Sequence, residues 1–399
     1  MTSSRRAALT TQRRLGAGSV IGQGARAGYR EVAELEGEPH VVRRDLVGDT
    51  SPEAVASQRA IIAIGHLTDL HVADVQSPAR FEFINREWLD PRFRDLLTMQ
   101  RPHEALTMHA IEAMVRTLNA IESAPVTGAP LELVAMTGDA IDNTQRNELA
   151  NFLALLDGGM VEPDSGAPGY EGVQATGWPD DLSWKPDGAA DGDVFRRELG
   201  FPEVPGLLDR ALQSFEAVGL RRPWLGCYGN HEEVCQGMGV VTSALAKAMV
   251  GTSKPIALPP GLDPETAVAT FIERPEFFMS GESLDVTPDA KRRPISRTEF
   301  VEALYASGPH GFTDQNRREG TAYYVHDTPA VRFITLDTVC AAGDALGSID
   351  APQLHWLERR LEEAHASFRS RDGSTVRTRN RDRLVVVLSH HGFDTLTNA

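Results

Sequence analysis

Four short apolar runs, Ile61–Ile64, Leu131–Met136, Trp224–Tyr228 and Leu384–Leu388, lead into segments rich in metal-binding side chains: Asp69-Leu70-His71, Gly138-Asp139-Ala140-Ile141-Asp142, Gly229-Asn230-His231-Glu232 and Ser389-His390-His391. Apolar runs this short, bounded by turn residues, read as buried strands. Four strands that deliver Asp, Asn and His at their C-terminal tips point to an α/β sheet, because open α/β sheets place their sites there.

Between the first two runs, Leu106, Ala110, Met114 and Leu118, with Ile111, Val115 and Ile121, recur at helical spacing. Strand, crossover helix and strand make a βαβ unit with a right-handed connection. Further helices are expected over Glu148–Leu156, around Leu207–Phe215, and near Ala244–Val250 and Arg297–Tyr305. Thr321–His326 and Val331–Asp337 alternate as strands. Asp350, with Gln353 three residues on, resembles a capping box ahead of a helix striped by Leu354, Leu357 and Leu361. Two stretches, about 157–205 and 234–320, read as inserts. The first is rich in Gly, Pro and Asp and carries Trp178 and Trp184, candidates to cover a cleft; an unstructured loop of that length is uncommon unless functional. Residues 1–58 lack periodicity and read as an extension. The expected organisation is therefore an extension over 1–58 and one α/β domain over 59–399.

Charge narrows the partners. With 40 basic and 56 acidic residues the net charge is -16. A field of that sign disfavours nucleic acid and anionic membrane surfaces. A small anionic substrate stays compatible, because bound cations invert the local potential. Cys227, Cys235 and Cys340 make no even disulfide framework, and Cys227 reads as a small buried apolar residue. No run approaches the ~18 apolar residues of a membrane span. Arg5-Arg6 and Arg13-Arg14 invite comparison with a twin-arginine export signal, yet Leu15–Tyr29 lacks the apolar segment that must follow. The expected location is the cytoplasm, with export as the alternative. There is no phosphate-binding G-x-x-x-x-G-K-[ST] loop and no G-x-S-x-G elbow, and His231-Glu232-Glu233-Val234-Cys235 lacks the second His of a zinc-protease helix.

D-x-H, then G-D-x-x-D, then G-N-H-E, then a His after a strand: this ordered set resembles the signature of the calcineurin-like metallophosphoesterases, and most of all a bacterial subgroup with long inserts. The resemblance spans Ile61–His391. It implies a sandwich of two mixed β-sheets flanked by helices. It also implies hydrolysis of a phosphomonoester or phosphodiester by metal-bound hydroxide. Two divalent or trivalent ions are implied, with Mn, Fe, Zn and Mg all suited to mixed carboxylate, imidazole and amide ligands. Asp69, His71 and Asp139 would hold one ion; Asp139, Asn230 and His390 would hold the other. Asp139 is the bridge that lets such ions sit ~3.5–4 Å apart. By the same resemblance His231 donates a proton to the leaving oxygen. Asp142 is the carboxylate that would fix the His231 tautomer and raise its pKa; read on its own, Asp142 would cap a helix starting near Asn143. Asn143 stands where serine/threonine protein phosphatases carry Arg, which argues against that branch.

Strand alternation lets only one of His390 and His391 face the ions, and His390 is the expected ligand. His391 reads as a substrate contact or surface residue, Asp74 as a contact to metal-bound water or a solvated loop residue, and His66 as a supporting or satisfied buried residue. Glu232 reads as a turn or supporting residue, and the remaining histidines, His40 among them, as structural. The closing G-H-x-H of the family has no counterpart after His390, so each ion would lack one ligand and the Leu384–Leu388 strand would keep an open edge. Two functions follow as expectations: the hydrolase, whole or shortened, or a catalytically silent relative that binds a ligand or partner. A nuclease branch is disfavoured by the charge.

Overall fold

The computed structural model describes residues 9–21, 30–39, 59–189, 192–308 and 310–398. Arg13–Val20 (β1) and Arg30–Glu36 (β2) pair as an antiparallel ribbon, so the extension carries structure that its composition hides. Its apolar residues face water: Leu15 and Val32 are both largely exposed. Arg13 pairs with Glu34 at 2.7 Å across the ribbon, while Arg5-Arg6 and His40 lie outside the described residues.

Ala63–Leu67 (β3), Leu131–Met136 (β4) and Trp224–Gly226 (β5) form a parallel three-stranded sheet with β4 in the centre. The first strand starts two residues later than expected. The crossover helix α1, Thr107–Ala120, buries Met108, Ile111 and Val115 against this sheet. A second helix, α2 (Arg146–Asp157), buries Leu149, Phe152, Leu155 and Leu156. Its N-cap is Gln145 with Glu148 completing a capping box, so Asp142 does not cap it.

A second three-stranded sheet is mixed. Tyr324–Asp327 (β6) runs antiparallel to Val331–Thr335 (β7), and Leu384–Leu388 (β8) runs parallel to β7 on its other side. Among the described residues β8 is the end strand, and Leu384 is half exposed. Both sheets feed one apolar cluster: Val134, Met136 and Trp224 from the first, Val331, Phe333 and Leu388 from the second. The Tyr324 hydroxyl donates to the Gly226 carbonyl at 2.7 Å, tying one sheet to the other. The late helix α3 (Ala351–Glu362) is capped by Asp350, which accepts from the Gln353 amide at 2.7 Å. The Gln353 side chain does not return to the cap. It brackets the Asp337 backbone at 2.9 and 2.7 Å, so only half of the capping box forms. Leu357 packs inward, but Leu354 and Leu361 stay exposed.

The inserts pack rather than trail. Phe81, Phe93, Phe271 and Phe278 build a separate core that joins the segment after Asp74 to the second insert. Trp178 and Trp184 are buried inside the first insert, where the Trp184 indole donates to the Pro202 carbonyl at 2.9 Å. They hold that insert together and do not cover a cleft. Buried Asp74 pairs with buried Arg292 at 3.0 Å and accepts from Ser165 at 2.7 Å, clamping both inserts to the core. Asp74 is therefore neither solvated nor turned to a metal. No helix among the described residues is long and apolar enough to cross a membrane.

Candidate metal centre

Three of the six non-glycine residues with positive φ among the described residues lie at this site. Asp69, His71 and Asp139 all adopt positive φ, at 54°, 47° and 51°. Non-glycine residues held in that region cost about 1–3 kcal/mol each and cluster at functional sites. The two loops carrying them are zipped together: Asp69 and His71 donate through their amides to the Gly138 and Asp139 carbonyls at 3.1 and 3.0 Å. Glu232 locks the third loop onto them. It is fully buried and accepts from the amides of Gly229, Asp139 and Ile141 at 2.6, 3.0 and 3.1 Å. Burial and the nearby Asp139 charge push its pKa up to about 7. Glycine is required at two places. A Cβ on Gly229 would stand 2.3 Å from Asp139 Oδ1, and one on Gly138 would stand 2.8 Å from His390 Nδ1.

Three imidazoles surround one carboxylate oxygen. Asp139 Oδ2 lies 3.2 Å from His390 Nε2, 3.8 Å from His231 Nε2 and 3.9 Å from His71 Nε2. Asp69 joins at 3.8 Å from His71 Nε2. Donor atoms thus fall into two groups that share Asp139: His71, Asp139 and His231, and Asp69, Asp139 and His390. Carbonyl oxygens can only accept, so their contacts fix the tautomers. His390 Nδ1 donates to the Thr137 carbonyl at 2.9 Å, and His231 Nδ1 donates to the Asp142 carbonyl at 2.6 Å. In the neutral form of each ring this leaves on Nε2 the lone pair that a cation takes. The Asn230 amide nitrogen is tied to the Gly237 carbonyl at 2.7 Å, which leaves its oxygen for a cation.

The charge balance of the protein alone is unsettled. Burial works against ionisation of Asp139, but His231, His390 and His71 outweigh it and hold the carboxyl well below its usual range. Burial would also lower His71, yet the Asp142 and Asp69 carboxylates push it up to about 10; Asp139 likewise lifts His390 to about 9. His71 Nδ1 is buried and faces the Asp142 carboxylate as an ion pair at 3.4 Å. Clustered carboxylates, imidazoles with free Nε2 and an amide oxygen fit a pair of hard or borderline divalent ions.

Asp142 departs from expectation. Its carboxylate stands 4.0 Å from His231 Nδ1 and 3.4 Å from His71 Nδ1, and it is ion-paired to Arg80. Its backbone carbonyl, not its carboxylate, orients His231. Burial lowers the His231 pKa, where a flanking carboxylate was expected to raise it. Arg80 escaped the sequence reading. It is fully buried and reaches Asp142, Glu104 at 2.7 Å and the Met99 carbonyl at 3.3 Å. Beneath it Lys254, also fully buried, pairs with Glu82 at 2.8 Å. The available signal was Arg80 itself, a lone cation just ahead of Phe81 and Phe83.

The other sequence-flagged residues lie apart. His391 is buried and not a surface residue, with Nδ1 2.9 Å from the Thr338 hydroxyl and its ring edge-on to His390 at 4.8 Å. Exposed His66 touches the Thr137 hydroxyl at 2.9 Å. Asn143 is buried and bridges the Ala79 carbonyl and the Gln236 amide at 2.9 and 3.0 Å. Two cavities flank the centre. The larger, about 540 Å³, includes Asp69, His71, His103 and one face of α1. The smaller, about 180 Å³, includes Thr98, Asn230 and His231. Arg101 and Asp142 line both. Compared with known proteins, the chain matches no family profile and no curated protein at a significant level.

Proposed function

We propose that this chain is a binuclear, metal-dependent phosphoester hydrolase of the calcineurin-like type. One observation carries the reading: a single buried carboxylate, Asp139, is shared by two groups of ligand atoms that arrive from different strand ends. The resemblance would give one ion Asp69, His71 and Asp139 and the other Asp139, Asn230 and His390; the donor atoms as they lie group His231 with His71, and Asp69 with His390, about the shared Asp139. When bound, such a pair draws charge from a phosphoryl oxygen and turns water into a nucleophile. The two three-stranded sheets would be the halves of the family's sandwich, which their shared apolar cluster supports.

The protein's own groups supply orientation. Glu232 fixes the Asp139 loop against the Asn230 turn. The Asp142 carbonyl aims His231 Nε2 toward Asp139. In the role the resemblance gives it, His231 would take a proton from solvent on Nε2 and pass it to the departing oxygen, a release that burial favours by lowering its pKa. Arg80 holds Asp142 in place from below.

Hydrolysis of nitrophenyl phosphate and bis(nitrophenyl) phosphate, with Mn²⁺ or Zn²⁺ added and with chelator, tests the reading. Metal-dependent release of nitrophenolate from either ester is expected. Stoichiometric metal binding without turnover of either would favour the silent binding protein.

A further inference from the structure

The wall beside the centre is more apolar than a bare phosphate needs. On α1, Ala110 and Met114 follow Leu106 at four-residue spacing, and this row lines the larger cavity next to Asp69 and His71. Both Ala110 and Met114 are exposed, while the core-facing row of the same helix is Met108, Ile111 and Val115. Contiguous apolar surface rimmed by polar groups is one form a ligand-binding groove takes, and the same cavity draws polar lining from Thr68, His103 and Glu104. The cavity volume, about 540 Å³, falls within the usual range for small-molecule sites, roughly 300–1,000 Å³. The opposite lobe differs in kind. It is about 180 Å³ and offers Thr98, Asn230 and His231. Arg101, its side chain 51% exposed and 3.9 Å from Glu104, lines both lobes.

Resting on the hydrolase reading above, we propose that the substrate is a phosphodiester joining a bulky apolar alcohol to a small polar one. The apolar group lies on Leu106, Ala110 and Met114, the small group lies in the Thr98 lobe, and Arg101 meets the phosphate. His231 lines only the small lobe, so the small alcohol departs. The oxygen of water bonds to phosphorus and the bond from phosphorus to the small alcohol's oxygen breaks. That oxygen takes a proton through His231, and the proton lost by water passes to solvent. No oxidant or reductant is involved.

Two diesters decide it, 2-aminoethyl 2-(2-naphthyl)ethyl phosphate and 2-aminoethyl methyl phosphate, assayed with Mn²⁺ in ¹⁸O water. The naphthyl diester should have a kcat/KM roughly tenfold or more above the methyl diester, releasing ethanolamine and leaving one ¹⁸O on the naphthylethyl phosphate. Ala110→Trp, which fills the lobe, and Met114→Gln, which makes it polar, should each reduce that preference. Arg101→Met should weaken both substrates. A binding arm is independent of turnover: calorimetry should find naphthylethyl phosphate roughly tenfold tighter than methyl phosphate, with the advantage reduced in Ala110→Trp and Met114→Gln. Equal binding of the two monoesters, or no effect of either variant, overturns the apolar lobe. Release of naphthylethanol overturns the assigned direction. If neither diester is cleaved yet the binding advantage and its loss in the variants persist, the hydrolase reading falls and the lobe stands.

Discussion

Replacing Arg80 with Met removes a charge while roughly keeping volume, at a site where every neighbour was arranged for the charge. Arg80 is 1% exposed and pairs with Asp142 and Glu104, both buried. Deleting one partner of a buried pair leaves an uncompensated charge and costs about 3–5 kcal/mol. The loss should depend on pH through Glu104. Burial raises this carboxyl to about 7, and Arg80 is the largest influence opposing that rise. Without Arg80 its folded pKa climbs further. A carboxyl raised on folding makes the native state bind more protons than the unfolded chain, so stability falls as pH rises between the unfolded value, ~4.3, and the raised folded value. Arg80→Met should therefore be more damaging at pH 8 than at pH 5.5, and Arg80→Met/Glu104→Gln should recover part of the loss at pH 8. Urea unfolding followed by tryptophan fluorescence, in chelator, measures each value. A loss below about 1 kcal/mol, or one equal at both pH values, would refute the buried-network argument.

Other expectations follow from single contacts. Asp74→Asn leaves buried Arg292 without its ion partner and should cost about 3–5 kcal/mol in the same unfolding assay. Because Arg292 and hydrogen bonds from Ser165 and Asn147 outweigh burial and hold Asp74 below its usual pKa, the pair's contribution is present above ~3.9 and fades as pH falls below that; the variant's deficit should shrink toward pH 2. Gly229→Ala drives a Cβ to 2.3 Å from Asp139 Oδ1 and 2.4 Å from its amide, and should lower stability by about 1–3 kcal/mol along with metal affinity, read by metal titration. His231→Ala should slow hydrolysis of alkyl esters ~10²–10⁴-fold and nitrophenyl esters much less, with metal content unchanged; loss of metal would instead make His231 a ligand.

Strand tips and their motif residues were legible because the information is local: an apolar run, a turn, then Asp or His at fixed spacing. Asp69, His71, Asp139, His231 and His390 come together in two groups for that reason. Reading failed where partners are distant in sequence. Asp142 resembled a helix cap or a partner for His231, but its carboxylate is claimed by Arg80, 62 residues away. Asp74 resembled a loop acid until Arg292, 218 residues on, proved to be its partner. Trp178 and Trp184 looked like cover, yet a loop rich in Gly and Pro needs large apolar side chains of its own to hold together. Helix α3 shows the converse. Its cap was readable from Asp350, but its stripe is only half covered, because what packs on a helix is not written within it.

Elemental analysis of protein dialysed against Mn²⁺ tests the shared role of Asp139 most directly. The wild-type chain should retain about two ions per molecule, and Asp139→Asn, which keeps the side-chain shape and removes the charge, should release both while remaining folded by circular dichroism. A wild type that retains no metal, or an Asp139→Asn variant that keeps the wild-type complement, would contradict a centre built on one bridging carboxylate.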